Sequence, residues 1–372
     1  MAMHVFEHLA LGRRLRVIAG VWLLAVCAMP VVAHPLGAPP GKLIDVHGTR
    51  LHLYCEGRGA PTVILDAGLG GASLEWLPVM QQVARFTEVC VYDRAGYGWS
   101  DMGAYPRTSS QEVEELYELL ANTGRRGPYI LAGHSFGGYN AQLFARRYPL
   151  LAAGLVLVDA SHPSQVERFQ APPYRVNTAP SSRFGLVQFG EMPALHANLS
   201  RRARLLMLYQ FKNWKPRRTI SYELLGFRDS ARELRNAQSL PPLPLVVLTR
   251  GKRAWPPTPH GDLLEQLWID LQSELAAQSP ESAHLIARDS GHMIHLEQPA
   301  LVVYGIALVL DTVRDAQVGR TSLPLGTATR RLVGAVEHAV WLRDSLGVRA
   351  ASRVSASVAL RNTAAQPAQL LR

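Results

Sequence analysis

The most constraining feature of this 372-residue chain is an apolar segment that runs directly into a glycine-flanked serine. The segment begins at Tyr129, continues into Gly133-His-Ser135-Phe-Gly137, and is followed by a helical pattern over residues 139–148. A sharp strand-to-helix turn strains the serine backbone, and side chains at the flanking glycines would collide with neighbouring main chain. The helix N-terminus favours a negatively charged oxygen beside the serine. The segment therefore predicts a nucleophile elbow with Ser135 as the nucleophile.

Short apolar runs alternate with helical patterns between residues 42 and 313, and this alternation predicts the fold class. Such runs are typical of buried strands in a parallel sheet, which helices cover on both faces. The clearest helix is predicted over residues 109–123, where Ser109 and Glu112 match a capping box. The predicted strands are 42–46, 50–56, 62–66, 87–92, 129–132, 155–159, 245–249 and 283–287. The sequence therefore predicts an α/β fold.

The connection between the sixth and seventh predicted strands is much longer than a usual loop. It contains helical patterns over residues 200–211 and 221–237. An insertion of this length between two core strands is typical of a segment that covers a site. We therefore predict a helical lid over residues 161–240.

Positive charge is concentrated at the two ends of the chain. Of the formal net charge of +10, residues 1–35 carry +2 and residues 314–372 carry +6, so residues 36–313 carry only +2. The body contains no basic helix interleaved with aromatic residues, which argues against nucleic-acid binding. The three cysteines of the whole chain form no zinc-binding spacing, so no metal is expected. We expect a folded domain over residues 36–313 and a flexible basic tail over residues 314–372.

The N-terminal segment has the pattern of an export signal. Arginines at positions 13, 14 and 16 precede an uncharged apolar run over residues 17–33, which ends in the small-residue pattern Val31-x-Ala33. A retained membrane anchor is the alternative, although a full span needs about 20 residues. Both interpretations place the body in the cell envelope, either exported or associated with the membrane through residues 17–33.

Three motifs occur in an order that resembles the α/β-hydrolase family, in particular its serine esterase/lipase-type branch with an N-terminal hydrophobic segment. They are Asp93-Arg-Ala-Gly-Tyr-Gly-Trp-Ser100, Gly133-His-Ser-Phe-Gly137 and Ser290-Gly-His292. The resemblance covers residues 41–313. It implies a mostly parallel sheet of about eight strands, a Ser–His–acid triad and no cofactor.

The resemblance implies that His292 is the general base, because it follows the last predicted strand on a loop. The triad order of serine, acid and histidine requires a late histidine of this kind. His134, His284 and His295 are the other histidines near the motifs. We expect none of these three to act as the base.

The acid of the triad is less directly indicated. Most relatives carry it after the seventh strand, but here residues 250–255 contain three cations and no carboxylate. Asp159, at the end of the sixth strand, is our prediction, since a carboxylate there can reach His292. One alternative is that Asp262 or Glu265 is the triad acid, and a second is that the chain has no triad acid. Asp159 could also serve only to stabilise its turn.

The segment Asp66-Ala-Gly-Leu69-Gly-Gly71 resembles the family's oxyanion-hole segment, with alanine in place of the usual histidine. The backbone N–H of Leu69 should then join that of Phe136 in binding an oxyanion. A tight turn with no such role is the alternative. We expect the 93–100 loop to be structural, with Arg94 paired internally.

The resemblance implies hydrolysis of a small-molecule carboxylic ester through an acyl-enzyme. A peptidase or an acyltransferase with the same triad, and a non-catalytic binding module on this fold, remain open. An apolar acyl group is suggested by four residues within the predicted lid, namely Phe184, Leu186, Val187 and Phe189. The strands that carry Cys55 and Cys90 should be neighbours, so these cysteines are either bridged or two buried thiols.

Overall fold

The computed structural model describes residues 39–172 and 196–319, together with residue 325. Eight strands form one sheet in the order β1-β2-β4-β3-β5-β6-β7-β8. The strands are β1 (Lys42–Val46), β2 (Thr49–Glu56), β3 (Val63–Asp66), β4 (Val89–Asp93), β5 (Tyr129–His134), β6 (Ala152–Val158), β7 (Leu245–Arg250) and β8 (Ser282–Ala287). β2 pairs antiparallel with β1 and β4, and all other pairs are parallel. The predicted eight-stranded, mostly parallel sheet is confirmed.

Helices connect most of the strands. They are α1 (Leu77–Val83), α2 (Ser109–Ala121), α3 (Gly137–Arg147), α4 (Gln165–Gln170), α5 (Arg201–Lys212), α6 (Trp214–Asn236), α7 (Pro259–Ala276), α8 (Ile294–Glu297) and α9 (Pro299–Gln317). Short 3₁₀ helices span Ser73–Trp76 and Pro149–Leu151. The last helix continues past residue 313, where we predicted the body to end.

The central strand β5 shows why helices lie on both faces of the sheet. All six of its residues are buried, and successive side chains point to opposite faces. Leu131 packs in the cluster that contains Phe144 of α3, whereas Ile130 and Ala132 pack in the cluster that contains Ile306 of α9. Each face therefore has its own apolar core, and the sheet holds the loops at its carboxyl ends in fixed positions.

The capping-box prediction for α2 is wrong. The helix begins at Ser109, as expected, but its N-cap is Thr108, whose side chain forms no capping hydrogen bond. The amides of Ser109 and Ser110 donate instead to Ser230 and Glu233 of α6. A capping box requires the Glu112 side chain to turn back to the N-cap. Glu112 is instead buried and lies 3.3 Å from the guanidinium of Arg107. This buried ion pair takes the place of the capping contact.

The connection between β6 and β7 is helical where it is described, but its second long helix starts earlier than predicted. Ser200 caps α5 by accepting the amide of Ala203, as a start near residue 200 requires. Asn213 then caps α6 by accepting the amide of Lys215, so this helix begins at Trp214 instead of residue 221. The four apolar residues predicted to contact an acyl group lie within 173–195, outside the described residues.

The strands that carry the two cysteines are neighbours, as predicted. Cys55 of β2 lies directly opposite Cys90 of β4 in the antiparallel register. Their sulfurs are joined in a disulfide. Of the two alternatives that the sequence left open, the structure contains the bridge.

The predicted N-terminal segment over residues 17–33 lies outside the described residues, as does most of the predicted tail. Within residues 39–172 and 196–319, no helix is both long enough and apolar enough to cross a membrane.

Candidate active site

Ser135 occupies the turn between β5 and α3. Its φ of 50° lies in the left-handed region, which is strained for any residue with a side chain. The Ser135 amide donates to the carbonyl of Val158 at 3.1 Å, and its own carbonyl accepts from the amide of Ser161 at 2.9 Å. These two hydrogen bonds to the end of β6 and the loop after it hold the turn in its strained conformation.

The flanking glycines allow main-chain segments to approach more closely than a side chain would permit. A Cβ on Gly133 would lie 2.3 Å from the carbonyl oxygen of Gly137. A Cβ on Gly137 would lie 2.6 Å from the carbonyl oxygens of Asp66 and Ala67. Larger residues at these two positions would therefore displace the serine turn or the loop after β3.

His292 lies on the loop between β8 and α8, and its ring nitrogen Nδ1 is 2.6 Å from Oδ2 of Asp159. Asp159 follows β6 directly, is fully buried and has a φ of 40°. An ionised carboxylate can only accept hydrogen bonds, so Nδ1 carries the proton in neutral His292. The other ring nitrogen, Nε2, is then left as an acceptor.

Asp159 is held in its ionised form by its neighbours. It accepts hydrogen bonds from Trp268 Nε1 at 2.8 Å and from the amide of Arg250 at 3.2 Å. Burial alone would raise the pKa of Asp159, but the Arg250 guanidinium and the hydrogen bonds from His292 and Trp268 hold it below its ordinary value. Neither Arg250 nor Trp268 was predicted to contact Asp159. The only sequence signal for this contact was the cation at the end of the seventh strand, which is Arg250.

The two alternative acids are engaged elsewhere. Asp262 pairs with Arg253 at 2.6 Å, and Glu265 pairs with Arg250 at 3.1 Å. Both lie on α7, and neither contacts His292 within the described residues. The structure therefore brings Asp159 to the histidine and keeps the alternatives away from it.

The loop after β3 passes close to the serine. A Cβ on Gly68 would lie 3.2 Å from the Cβ of Ser135. The amide of Gly71 donates to the carbonyl of Gly68 at 3.0 Å, so a tight turn is present. This turn does not use the N–H of Leu69. In the described parts of the chain, neither the Leu69 amide nor the Phe136 amide is paired with an acceptor.

A second group of buried titratable side chains lies beside His292. Glu75, His134 and His295 each offer one atom that could bind a metal ion, and these atoms lie within 4.8 Å of one another. Burial raises the pKa of Glu75 to about 8 and lowers the pKa of His295 to about 3. Near neutral pH all three groups are therefore mainly uncharged. A bound cation would have to displace the proton of Glu75 and overcome this preference.

The other histidines have different contacts from His292. His134 Nε2 lies 3.0 Å from the carbonyl oxygen of His292, where it supports the loop. His284 lies within β8, and its Nε2 is 2.7 Å from the hydroxyl of Thr249. His295 stacks on Trp76 with ring centroids 4.7 Å apart. Among the described histidines, His292 is the one whose ring nitrogen contacts Asp159.

Comparison with known proteins shows similarity over the same region. A family model described as "Alpha/beta hydrolase family" matches residues 63–303. The uncharacterized protein YqjL of Bacillus subtilis is 26% identical over 263 residues, which cover 70% of this chain and 88% of that protein.

Two solved structures have the same fold. A thermophilic esterase from Thermogutta terrifontis is similar at a TM-score of 0.53 and 22% identity, covering 74% of this chain and 99% of its own. The enol-lactonase from Burkholderia xenovorans LB400 is similar at a TM-score of 0.52 and 18% identity, covering 73% of this chain and 100% of its own. At these identities, the similarity concerns the fold alone.

Proposed function

The chain belongs to the alpha/beta hydrolase family, and from this premise we propose that it cleaves carboxylic esters through an acyl-enzyme on Ser135. The observation that carries the proposal is the 2.6 Å contact between His292 Nδ1 and Asp159 Oδ2. Burying an ionised carboxylate is unfavourable unless other groups satisfy it, and here several donors converge on it. The arrangement has the geometry by which an acid orients a general base.

The proposed reaction begins with attack of the Ser135 hydroxyl oxygen on the ester carbonyl carbon, while His292 Nε2 takes the hydroxyl proton. Asp159 holds the histidine tautomer and stabilises the imidazolium that forms. The imidazolium then gives its proton to the departing alcohol, which leaves an acyl-enzyme. Water attacks this ester with His292 again as the base, and the carboxylic acid product leaves a free serine.

The oxyanion of each tetrahedral intermediate would be bound by the backbone N–H groups of Leu69 and Phe136. The first lies on the loop after β3, and the second immediately precedes α3, whose N-terminus adds a favourable dipole. Loss of one such donor typically costs about 3–4 kcal/mol in the transition state. Backbone donors cannot be removed by substitution, so these two positions must be tested through the residues that hold them.

A peptidase or an acyltransferase could use the same residues, whereas a binding module would have no need of a strained serine turn. A chain-length series of p-nitrophenyl esters, assayed beside matched p-nitroanilides, separates these functions. We expect hydrolysis of the esters and much slower hydrolysis of the anilides. Faster anilide cleavage would identify a peptidase, and diversion of the acyl group to an added alcohol would identify an acyltransferase. Absence of turnover together with absence of fluorophosphonate labelling would contradict both the proposal and its enzymatic alternatives.

We further propose that the folded domain is exported to the cell envelope. The apolar run over residues 17–33 supports this, and so does the Cys55–Cys90 disulfide, because disulfides persist mainly in oxidising compartments. A reporter that is active only in the periplasm, fused after residue 41 in a bacterial host, should be active. The matched control deletes residues 17–33 and should be inactive. An inactive full-length fusion, with soluble full-length protein in the cytoplasm, would contradict the proposal.

A further inference from the structure

The side chain of Arg94 lies beneath the loop that carries Leu69. Arg94 follows β4 directly, and its side chain is only 2% exposed. Nη1 donates to Oδ1 of Asp66 at 2.7 Å and to the carbonyl oxygen of Ala67 at 2.5 Å. Nη2 donates to the carbonyl oxygen of Gly68 at 2.9 Å. One guanidinium therefore bonds three successive residues of this loop.

The bond to Gly68 acts on the amide of Leu69. The Gly68 carbonyl and the Leu69 N–H belong to one peptide group, and this peptide is trans. In a trans peptide these two groups point in opposite directions. A donor that fixes the carbonyl therefore also fixes the direction of the N–H. A positive charge at the carbonyl also polarises the group so that its N–H becomes a stronger donor.

The next peptide group is held by Tyr97. The amide of Gly70 donates to the Tyr97 hydroxyl at 3.2 Å. The hydroxyl in turn donates to Oε2 of Glu223 at 2.7 Å. The peptide groups on both sides of Leu69 are therefore held by side chains of the 93–100 loop.

Glu223 joins both of these side chains to α6. Its Oε1 accepts from Nε of Arg94 at 3.1 Å, while its Oε2 accepts from Tyr97. The carboxylate is fully buried. A single residue of the helix inserted between β6 and β7 therefore contacts both groups that orient the Leu69 peptides.

Arg94 keeps its charge in this buried setting. Burial alone would lower the pKa of the guanidinium, but the carboxylates of Glu223, Glu112 and Asp66 hold it well above its ordinary value. A buried ion pair often stabilises a fold no more than well-packed apolar residues would. Stability alone therefore does not account for a charge at this position, where the guanidinium donates to the carbonyl of the Gly68–Leu69 peptide group.

We propose, resting on the ester hydrolysis proposed above, that Arg94 is a positioning residue which orients and polarises the Leu69 amide, and that Glu223 links α6 to this amide. An oriented Leu69 N–H would interact with the oxyanion, which forms only as the carbonyl carbon becomes tetrahedral. This orientation should affect the transition state for acylation more than substrate binding.

The test compares Arg94→Met with Arg107→Met. Arg107 is an equally buried arginine that pairs with Glu112 and Glu115 and contacts no atom of the Leu69 loop among the described residues. Each variant is assayed with a carboxylic ester and with the matching thionoester, whose sulfur interacts poorly with an oxyanion hole. For Arg94→Met we expect kcat for the oxygen ester to fall by about 10–100-fold. KM should be little changed, and the ratio of ester to thionoester rates should decrease. For Arg107→Met, the ratio should stay at the wild-type value.

Two milder variants keep the test decisive if Arg94→Met fails to fold. Tyr97→Phe removes the acceptor of the Gly70 amide. Glu223→Gln replaces one of the two oxygens that accept from Arg94 and Tyr97 by an amide nitrogen, which cannot accept. Both should lower the same ratio by a smaller factor. An unchanged ratio in these variants, or an equal decrease in Arg107→Met, would overturn the inference alone. A wild-type protein that neither hydrolyses esters nor reacts with a fluorophosphonate would overturn the proposed function, and this inference with it.

Discussion

Replacement of Ser135 by alanine is expected to lower kcat for ester hydrolysis by about 10⁴–10⁶-fold. The hydroxyl would be the atom that forms the acyl-enzyme, and no other group in the proposed reaction can replace it. The residual rate would come from the Leu69 and Phe136 amides and from substrate binding. The melting temperature should change little, because alanine can keep the two backbone hydrogen bonds that hold the turn.

Steady-state kinetics with a p-nitrophenyl ester, run beside thermal melts, check this expectation. Ser109→Ala is a matched control, since Ser109 is buried like Ser135 but lies at the start of α2. It should retain wild-type turnover. If Ser135→Ala keeps more than a small fraction of wild-type activity, the nucleophile has been assigned to the wrong residue.

Replacement of Asp159 by asparagine is expected to lower kcat by about 10⁴-fold. The asparagine amide can donate to Nδ1 of His292, and this would favour the tautomer that carries its proton on Nε2. The histidine could then no longer accept the proton of Ser135. The change would also leave Arg250 with Glu265 as its remaining acidic partner among the described residues, so a modest decrease in melting temperature should accompany it.

The matched control for this variant is Glu265→Gln. Glu265 also pairs with Arg250, and it was one of the alternative acids, so the control separates loss of an ion pair from loss of the triad acid. We expect Glu265→Gln to keep kcat near the wild-type value. Near-normal turnover in Asp159→Asn, combined with severe loss in Glu265→Gln or Asp262→Asn, would show that the acid lies on α7.

Much of the fold was predictable because the information for it is local. Each central strand is buried on both faces. Its sequence is therefore a short, nearly continuous apolar run, which is easy to recognise. The turn at Ser135 was predictable for a similar reason, since close main-chain approach requires glycine at positions 133 and 137. The prediction of Asp159 followed from its place at the end of the sixth predicted strand, from which a carboxylate can reach His292.

The supporting residues could not be predicted in this way. Trp268 reaches Asp159 across 109 residues, and Glu223 reaches Arg94 across 129 residues. Both contacts depend on where α6 and α7 lie against the sheet, and no local pattern specifies this. The capping box shows the opposite situation, in which a local pattern gave a wrong prediction. The pattern at Ser109 and Glu112 was local, but buried arginines compete for the Glu112 carboxylate and bind it instead.

The most direct test of the central claim is to locate a fluorophosphonate adduct by peptide mapping of the labelled protein. We expect one adduct per chain, on the peptide that contains Ser135. It should be absent from Ser135→Ala and should form much more slowly in Asp159→Asn, because the base is then in the wrong tautomer. An adduct on another residue, or undiminished labelling of Ser135→Ala, would contradict the assignment of Ser135 as the nucleophile.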